Sequence, residues 1–237
     1  MSNVKILCVS PRHNIEATIC NRVARIGSPK EGTNADYKQW LRRAIDEKHW
    51  SPFEFATFVF EVITPFYVAA QMKRHSFVVQ EYSARYYPLN RVYGFPDART
   101  QPSRRNPERG GIPCEPDINE WWQRNANEVA ANSFAVYEEA LRLGIASEVA
   151  RAVLPLQTET RMILSMSLRT LMVSYIPLRT AFSTQAEHRD IATRMAVAMR
   201  GFVPEIASIL GWDKIVAPEG AHEYSQEDVL EWDQNPM

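Results

Sequence analysis

From Gln71 to Tyr86 the chain reads Gln71-Met72-Lys73-Arg74-His75-Ser76-Phe77-Val78-Val79-Gln80-Glu81-Tyr82-Ser83-Ala84-Arg85-Tyr86. Five groups that carry or accept charge, Lys73, Arg74, His75, Glu81 and Arg85, fall within 13 residues, beside the polar Gln71, Gln80 and Ser83. The apolar Phe77-Val78-Val79 centre implies that the charges flank a buried piece. Gln71, Arg74, Glu81 and Arg85 together offer the donors and acceptors that suit a pyrimidine edge and a phosphate. A solvated surface helix is the plainer account of the same charge density.

Other familiar chemistries are missing from the sequence. Neither Gly-x-Gly-x-x-Gly nor a Gly-Lys-Ser/Thr phosphate loop occurs, and there is no His-Glu-x-x-His or paired-Cys metal site. Cys8, Cys20 and Cys114 are odd in number and share no ligand spacing. They fit a reducing cytoplasm, each as a small buried or neutral residue. None lies among phosphate-ready groups, which argues against a thiolate nucleophile.

The chain has 237 residues, 45% hydrophobic and 23% charged, which is globular and too apolar for disorder. Its 27 Lys and Arg nearly balance 28 Asp and Glu. A net charge of −1 argues against a polynucleotide partner. Arg nevertheless supplies 21 of the 27 cations and Lys only 6. Arg is the residue for bidentate phosphate contacts, although compositional drift produces the same count. No run of 18 apolar residues is present, so no transmembrane helix is expected. The opening MSNVKILCVSPRHN lacks a cleavage pattern and is too short in its apolar part for a signal peptide.

Those residues must be positioned by an α+β fold. Residues 4–9 and 56–63 read as strands, the second ended by Pro65. Residues 33–48 read as a helix with Tyr37, Trp40, Leu41 and Ile45 on one face, broken at His49-Trp50-Ser51-Pro52. Residues 68–74 fit a helix or an extended piece. Residues 86–116 hold six prolines and Arg91, Arg99, Arg104, Arg105 and Arg109, a pattern of either a functional lid or a solvated loop. Asp117 is the expected N-cap of a helix over 118–143 stopped by Gly144. Further helices are expected from Ser147 to Pro155, over 158–175 and over 187–202. The expectation is a small, mostly antiparallel N-terminal sheet flanked by helices, with a helical C-terminal half. It forms one domain over 1–212, followed by an acidic peripheral tail at 213–237.

A family resemblance becomes specific at the second half of the first segment. Glu81-x-Ser83-x-Arg85-Tyr86 resembles the signature of the flavin-dependent thymidylate synthases, in which Arg-His-Arg is followed after seven residues by Ser. The first half departs: Gln71-x-x-Arg74-His75 matches in type but lies one residue too near Ser83, and Gln80 stands for Asn. His49-x-Ser51-Pro52-Phe53-Glu54 is similar to the family's His-x-Ser/Thr-Pro-Phe-Glu element, with Phe55 in place of a following His. Arg151-Ala-Val-Leu154-Pro155 resembles its Arg-x-x-Leu-Pro helix. Ser167-Leu168-Arg169, Leu178-Arg179 and Gln185-x-Glu187-x-Arg189 resemble its last block, with Ser167, Val173 and Ser183 where Asn, Asn and His are usual. The ordered similarity spans roughly residues 20–205.

The resemblance implies reductive C5-methylation of dUMP or UMP. Reduced FAD would supply the hydride, methylenetetrahydrofolate the carbon and NADPH the electrons. It places Gln71, Arg74, Glu81, Ser83, Ala84, Arg85, Arg151 and Arg179 at the uridylate, with Ser83, Arg74 and Arg85 nearest the chemistry. His49, Ser51, Glu54, His75, Glu81, Ser167 and Arg169 fall on the flavin side. The apolar setting of Arg151 calls for a ligand or a carboxylate partner, whereas Arg179 after Pro177 could instead cap helix carbonyls. A homotetramer with shared sites is implied, and no metal. The altered signature marks a divergent member, such as a UMP methylase of nucleoside-antibiotic biosynthesis. A non-catalytic uridylate- or flavin-binding module is the alternative.

Overall fold

The computed structural model describes residues 2–27, 34–86, 89, 93–100, 111–225 and 228. The chain opens with β1 (Asn3–Ser10) and two helices, α1 (Ile15–Gly27) and α2 (Asn34–Asp46). A 3-10 turn (Ser51–Phe55) leads into β2 (Thr57–Pro65), α3 (Phe66–Met72) and β3 (Val78–Glu81). A two-residue ribbon, β4 (Arg99–Thr100) with β5 (Ile112–Pro113), precedes the long α4 (Pro116–Arg142). Then come α5 (Ser147–Ala150), β6 (Glu159–Ser167) and α6 (Leu168–Thr170), with a π-helical turn (Leu171–Tyr175) joining α6 to α7 (Ile176–Thr180). Two further helices, α8 (Ala186–Met199) and α9 (Pro204–Leu210), close the fold.

Four strands form one antiparallel sheet in the order β1-β2-β6-β3. Phe58, Phe60 and Val62 of β2 and Met162, Leu164 and Met166 of β6 point to one face and are buried. Period-two alternation places every second side chain on that face. Helices α3 and α8 pack over it, and α8 is buried almost all round through Ile191, Met195, Ala196 and Met199. The expected α+β arrangement holds.

Local expectations were corrected in several places. Residues 159–167 form the central strand β6, not a helix: Thr160, Met162, Leu164 and Met166 alternate with more exposed neighbours. Met and Leu are good helix formers, but the two-residue period and the pairing with β2 override that propensity. Asp117 is not the N-cap of α4. Glu115 takes that place because Pro116 occupies the first turn, where its missing N–H costs nothing, and Asp117 becomes a first-turn acid. Gly144 does stop the helix, at φ 80°, with Gly144 N–H on Leu141 and Ile145 N–H on Ala140. Cys8 is exposed rather than buried. A bulge between Ile6 and Cys8 reverses the facing of β1, so that Val9 turns inward instead.

The segment after Trp212 returns along α8. Arg200 pairs with Glu223 at 2.8 Å, Tyr224 N–H donates to the Ala198 carbonyl, and the Tyr224 ring joins the core. Among the described residues no helix is long and apolar enough to cross a membrane.

Candidate functional site

The sheet distributes the candidate residues into three neighbourhoods. The β2–β6 ladder runs from Thr57 opposite Ser167 to Pro65 opposite Glu159. At about 3.3 Å per residue its two ends lie roughly 26 Å apart.

The Thr57–Ser167 end carries His49, Ser51, Glu54, Ser167 and Arg169. Phe53 is fully buried against Trp40 and Trp50 and anchors the 3-10 turn, which leaves its polar neighbours exposed. Arg169 Nη1 donates to Glu54 Oε1 at 2.9 Å. Ser167 Oγ caps α6 by accepting from Thr170 N–H at 3.1 Å. His49 and Ser51 open onto a cleft of about 410 Å³ lined also by Trp40, Arg43 and Glu47.

The second neighbourhood lies between the C-terminal end of α3, α7 and α8. Arg179 Nε donates to His75 Nε2 at 2.8 Å, rather than capping carbonyls. That nitrogen therefore carries a lone pair, and His75 is neutral with its proton on Nδ1. Its pKa lies below the ordinary histidine value, because burial disfavours the cation and the Arg179 charge adds to the effect. The ring stacks on Phe77 and meets the edge of Tyr175 at 5.0 Å. His188 behind it is fully buried and pushed down to about 3, first by burial and then by the charge of Arg179. Gln71 Nε2 donates to Gln185 Oε1 at 2.5 Å, and Gln71 Oε1 faces His188 Nδ1 at 3.3 Å.

The third neighbourhood continues β3 toward the Pro65–Glu159 end. Glu81 is held by Lys73 at 2.7 Å and by the Thr160 hydroxyl at 3.2 Å. Ala84 is buried, and Ser83 Oγ accepts from Arg85 N–H at 3.4 Å. Arg85 pairs with Glu148 at 3.0 Å. Arg74 and Arg151 are exposed, and their guanidinium groups have no ion-pair partner among the described residues.

Two expectations fail here. Arg151 does not face an apolar helix: α5 ends after four residues and Arg151 begins an exposed 3-10 turn, because Pro155 prevents continuation. Nor is Phe77-Val78-Val79 a buried centre. β3 is an edge strand, and Val78 is 71% exposed. Val173 and Ser183 are also exposed. Of the loop arginines, Arg99 pairs with Glu187 at 2.5 Å, while Arg91, Arg104, Arg105 and Arg109 lie outside the described residues. Sequence reasoning missed Tyr175 and His188. His188 sits three residues after Gln185 on α8, a spacing that puts both on one face and could have flagged it.

The arrangement presents cationic forks and an amide near neutral imidazoles; β3 starts opposite Ser165, which sets His75 and Arg179 toward the Ser167 end, while Glu81 to Arg85 continue toward Glu159. The family described as thymidylate synthase complementing protein matches residues 7–205. The flavin-dependent thymidylate synthase of Synechocystis sp. is 35% identical over 190 residues, 80% of this chain and 86% of the relative. The probable flavin-dependent thymidylate synthase of Paramecium bursaria Chlorella virus 1 is 36% identical over 191 residues, 80% of this chain and 88% of its own. The fold is similar to that of PolB, a UMP/dUMP methylase from Streptomyces cacaoi, bound with 5-Br dUMP. The TM-score is 0.76 at 24% identity, over 92% of this chain and 98% of PolB. With 5-Br UMP bound, PolB matches at TM-score 0.78 and 23% identity, over 92% and 97% of the two chains.

Proposed function

The chain belongs to the flavin-dependent thymidylate synthase family, and on that premise we propose that it methylates carbon 5 of a uridine 5′-monophosphate, dUMP or UMP, in the cytoplasm. The observation that carries this reading is Arg179 held by His75. A guanidinium oriented by a neutral imidazole instead of a carboxylate keeps its full charge for an anionic ligand. Arg74 and Arg151, exposed without acidic partners among the described residues, are suited to the same task. Arg85 would exchange Glu148 for a phosphate.

In this reading Gln71, Glu81, Ser83 and Ala84 line the nucleotide, while Arg74 and Arg85 stabilise charge developing on the uracil carbonyls. Ser83 orients the base and need not attack it. The cleft beside His49 and Ser51 has the volume of a small-ligand pocket, and with the adjacent Glu54–Arg169 pair it offers both apolar walls and polar donors. Those residues fit part of a flavin dinucleotide, with His75, Glu81 and Ser167 completing that side. Bound there, reduced FAD supplies the hydride, methylenetetrahydrofolate the one-carbon unit and NADPH the electrons.

Within one protomer the His49 cleft and the Arg85–Glu148 pair lie toward opposite ends of the sheet, with His75 and Arg179 beside the start of β3 opposite Ser165. The reading also includes a homotetramer whose sites are shared between copies. Ile118, Trp121, Val129 and Val136 form an exposed apolar stripe along α4, which supports a second copy against that helix.

The test is incubation of the protein with dUMP or UMP, methylenetetrahydrofolate, NADPH and FAD, with the nucleotide product weighed. A product heavier by one methylene is expected. Bound flavin and uridylate without product would establish the binding module instead, and a protein that takes up neither would overturn both readings.

A further inference from the structure

A continuous hydrogen-bonded relay leads from the 86–116 segment to Gln71. Arg99 Nη2 donates to Glu187 Oε1 at 2.5 Å, with both side chains mostly shielded from solvent. Gln185 Nε2 donates to Glu187 Oε2 at 2.8 Å, and Gln71 Nε2 donates to Gln185 Oε1 at 2.5 Å. His188 Nδ1 meets Gln71 Oε1 at 3.3 Å, and the Tyr175 hydroxyl meets His188 Nε2 at 3.1 Å.

Two amides, an imidazole and a phenol can be connected with either polarity, because each both donates and accepts. A carboxylate only accepts. Glu187 therefore obliges Gln185 to turn its NH₂ toward it and its carbonyl toward Gln71. Gln71 must then give its NH₂ to Gln185 and its oxygen to His188. His188 carries its proton on Nδ1, and Nε2 accepts from Tyr175. Burial keeps His188 neutral, so it holds one proton and a single tautomer.

We propose that the Arg99–Glu187 pair sets the polarity of this relay and, through Gln185, fixes which way the Gln71 amide faces the pyrimidine. Arg99 and Glu187 are positioning residues; the inference deepens the reading above, in which Gln71 lines the base. The consequence is specificity. Uracil offers a carbonyl and an N3–H, whereas cytosine offers an amino group and a bare N3. An amide held in one orientation distinguishes them, and an amide that flips does not.

The experiment is Glu187→Gln in the full chain. The introduced amide keeps its oxygen on Arg99, so it turns NH₂ toward Gln185 and reverses every member of the relay. With ¹⁵N-histidine labelling, the wild type is expected to show His188 protonated on Nδ1 and the variant to show it protonated on Nε2. The His188 signals are the ones missing from the spectrum of His188→Ala. Uridylate affinity should fall about fivefold to tenfold relative to cytidylate, the effect of one misdirected hydrogen bond. Glu187→Asp, which keeps an acceptor-only end, should restore the wild-type tautomer. An Nε2–H His188 in the wild type, which needs no variant to fold, would overturn the proposal, as would an unchanged tautomer in Glu187→Gln. A reversed tautomer with an unchanged uridylate-to-cytidylate ratio would remove Gln71 from the base and overturn the specificity claim, leaving the flavin and product assays to judge the methylase reading separately.

Discussion

Arg179 and His75 illustrate how a single contact decides what a cation does. Because His75 accepts the bond, Arg179 spends one N–H on orientation and none of its charge on neutralisation. Replacing Arg179 by Ala should weaken dUMP binding roughly tenfold to a hundredfold, the range of one lost charge-assisted contact, as read by calorimetric titration. The fold's melting temperature should move little, since the side chain is part-exposed. Glu16 is a different case. Its carboxyl is buried and accepts from Ile206 N–H at 2.7 Å, and burial pushes its pKa up to about 7, with Glu205 adding to the shift and Lys38 opposing it. A raised carboxyl pKa means that the folded state prefers the neutral form. Its contribution is fully present below the unfolded value near 4.5 and is lost as pH rises through about 7. Between pH 5 and pH 8 this group should cost on the order of 2–3 kcal/mol of stability. Glu16→Gln retains an acceptor for Ile206 and should abolish that loss; equal urea midpoints for the variant and the wild type at pH 8 would refute the assignment.

Elements, rather than residues, explain why the candidate groups divide as they do. The 3-10 turn at 51–55 exists because Pro52 starts it and Phe53 is driven into the core, so Ser51 and Glu54 have only the outer side left to occupy. Glu54 then reaches Arg169 on α6, which the β6 register brings alongside. Glu54→Ala should therefore weaken FAD retention measurably by absorbance after gel filtration while leaving uridylate affinity within about twofold. Loss of both to equal extents would mean that Glu54 does not belong to a separate flavin side. The end of α4 supports a stability test of the same kind. Gly144 sits at φ 80°, so Gly144→Ala should lower stability by about 1 kcal/mol in denaturant titration.

At the scale of the whole molecule, the exposed apolar stripe of Ile118, Trp121, Val129 and Val136 on α4 is the feature that demands explanation. It offers a surface for a second copy of the chain. Val129→Glu with Val136→Glu should shift the protein to a smaller species in light scattering and abolish methylation, since two charges in an apolar interface are not tolerated. A monomeric variant that still turns over would show that one chain suffices.

Local chemistry was legible without coordinates wherever it depends on contiguous residues. The strands at 4–9 and 56–63, the helix over 34–46 and the Gly144 stop follow from periodicity and backbone preference, which act over a few residues. The ordered motifs from His49 to Arg189 identified the family because residue type and spacing are the signature itself. Only the tertiary structure decided which groups touch. The first half of the helix read at 158–175 became strand β6, because pairing with β2 outweighs the propensity of Met and Leu, while residues 168–175 are helical. Arg151 turned outward at the end of a shortened helix. Arg179 found His75 across 104 positions, and the relay from Arg99 through Glu187 to Gln71 joins three distant segments. Hydrogen-bond polarity depends on what lies at the far end of a chain of contacts, and no local pattern of residues encodes that.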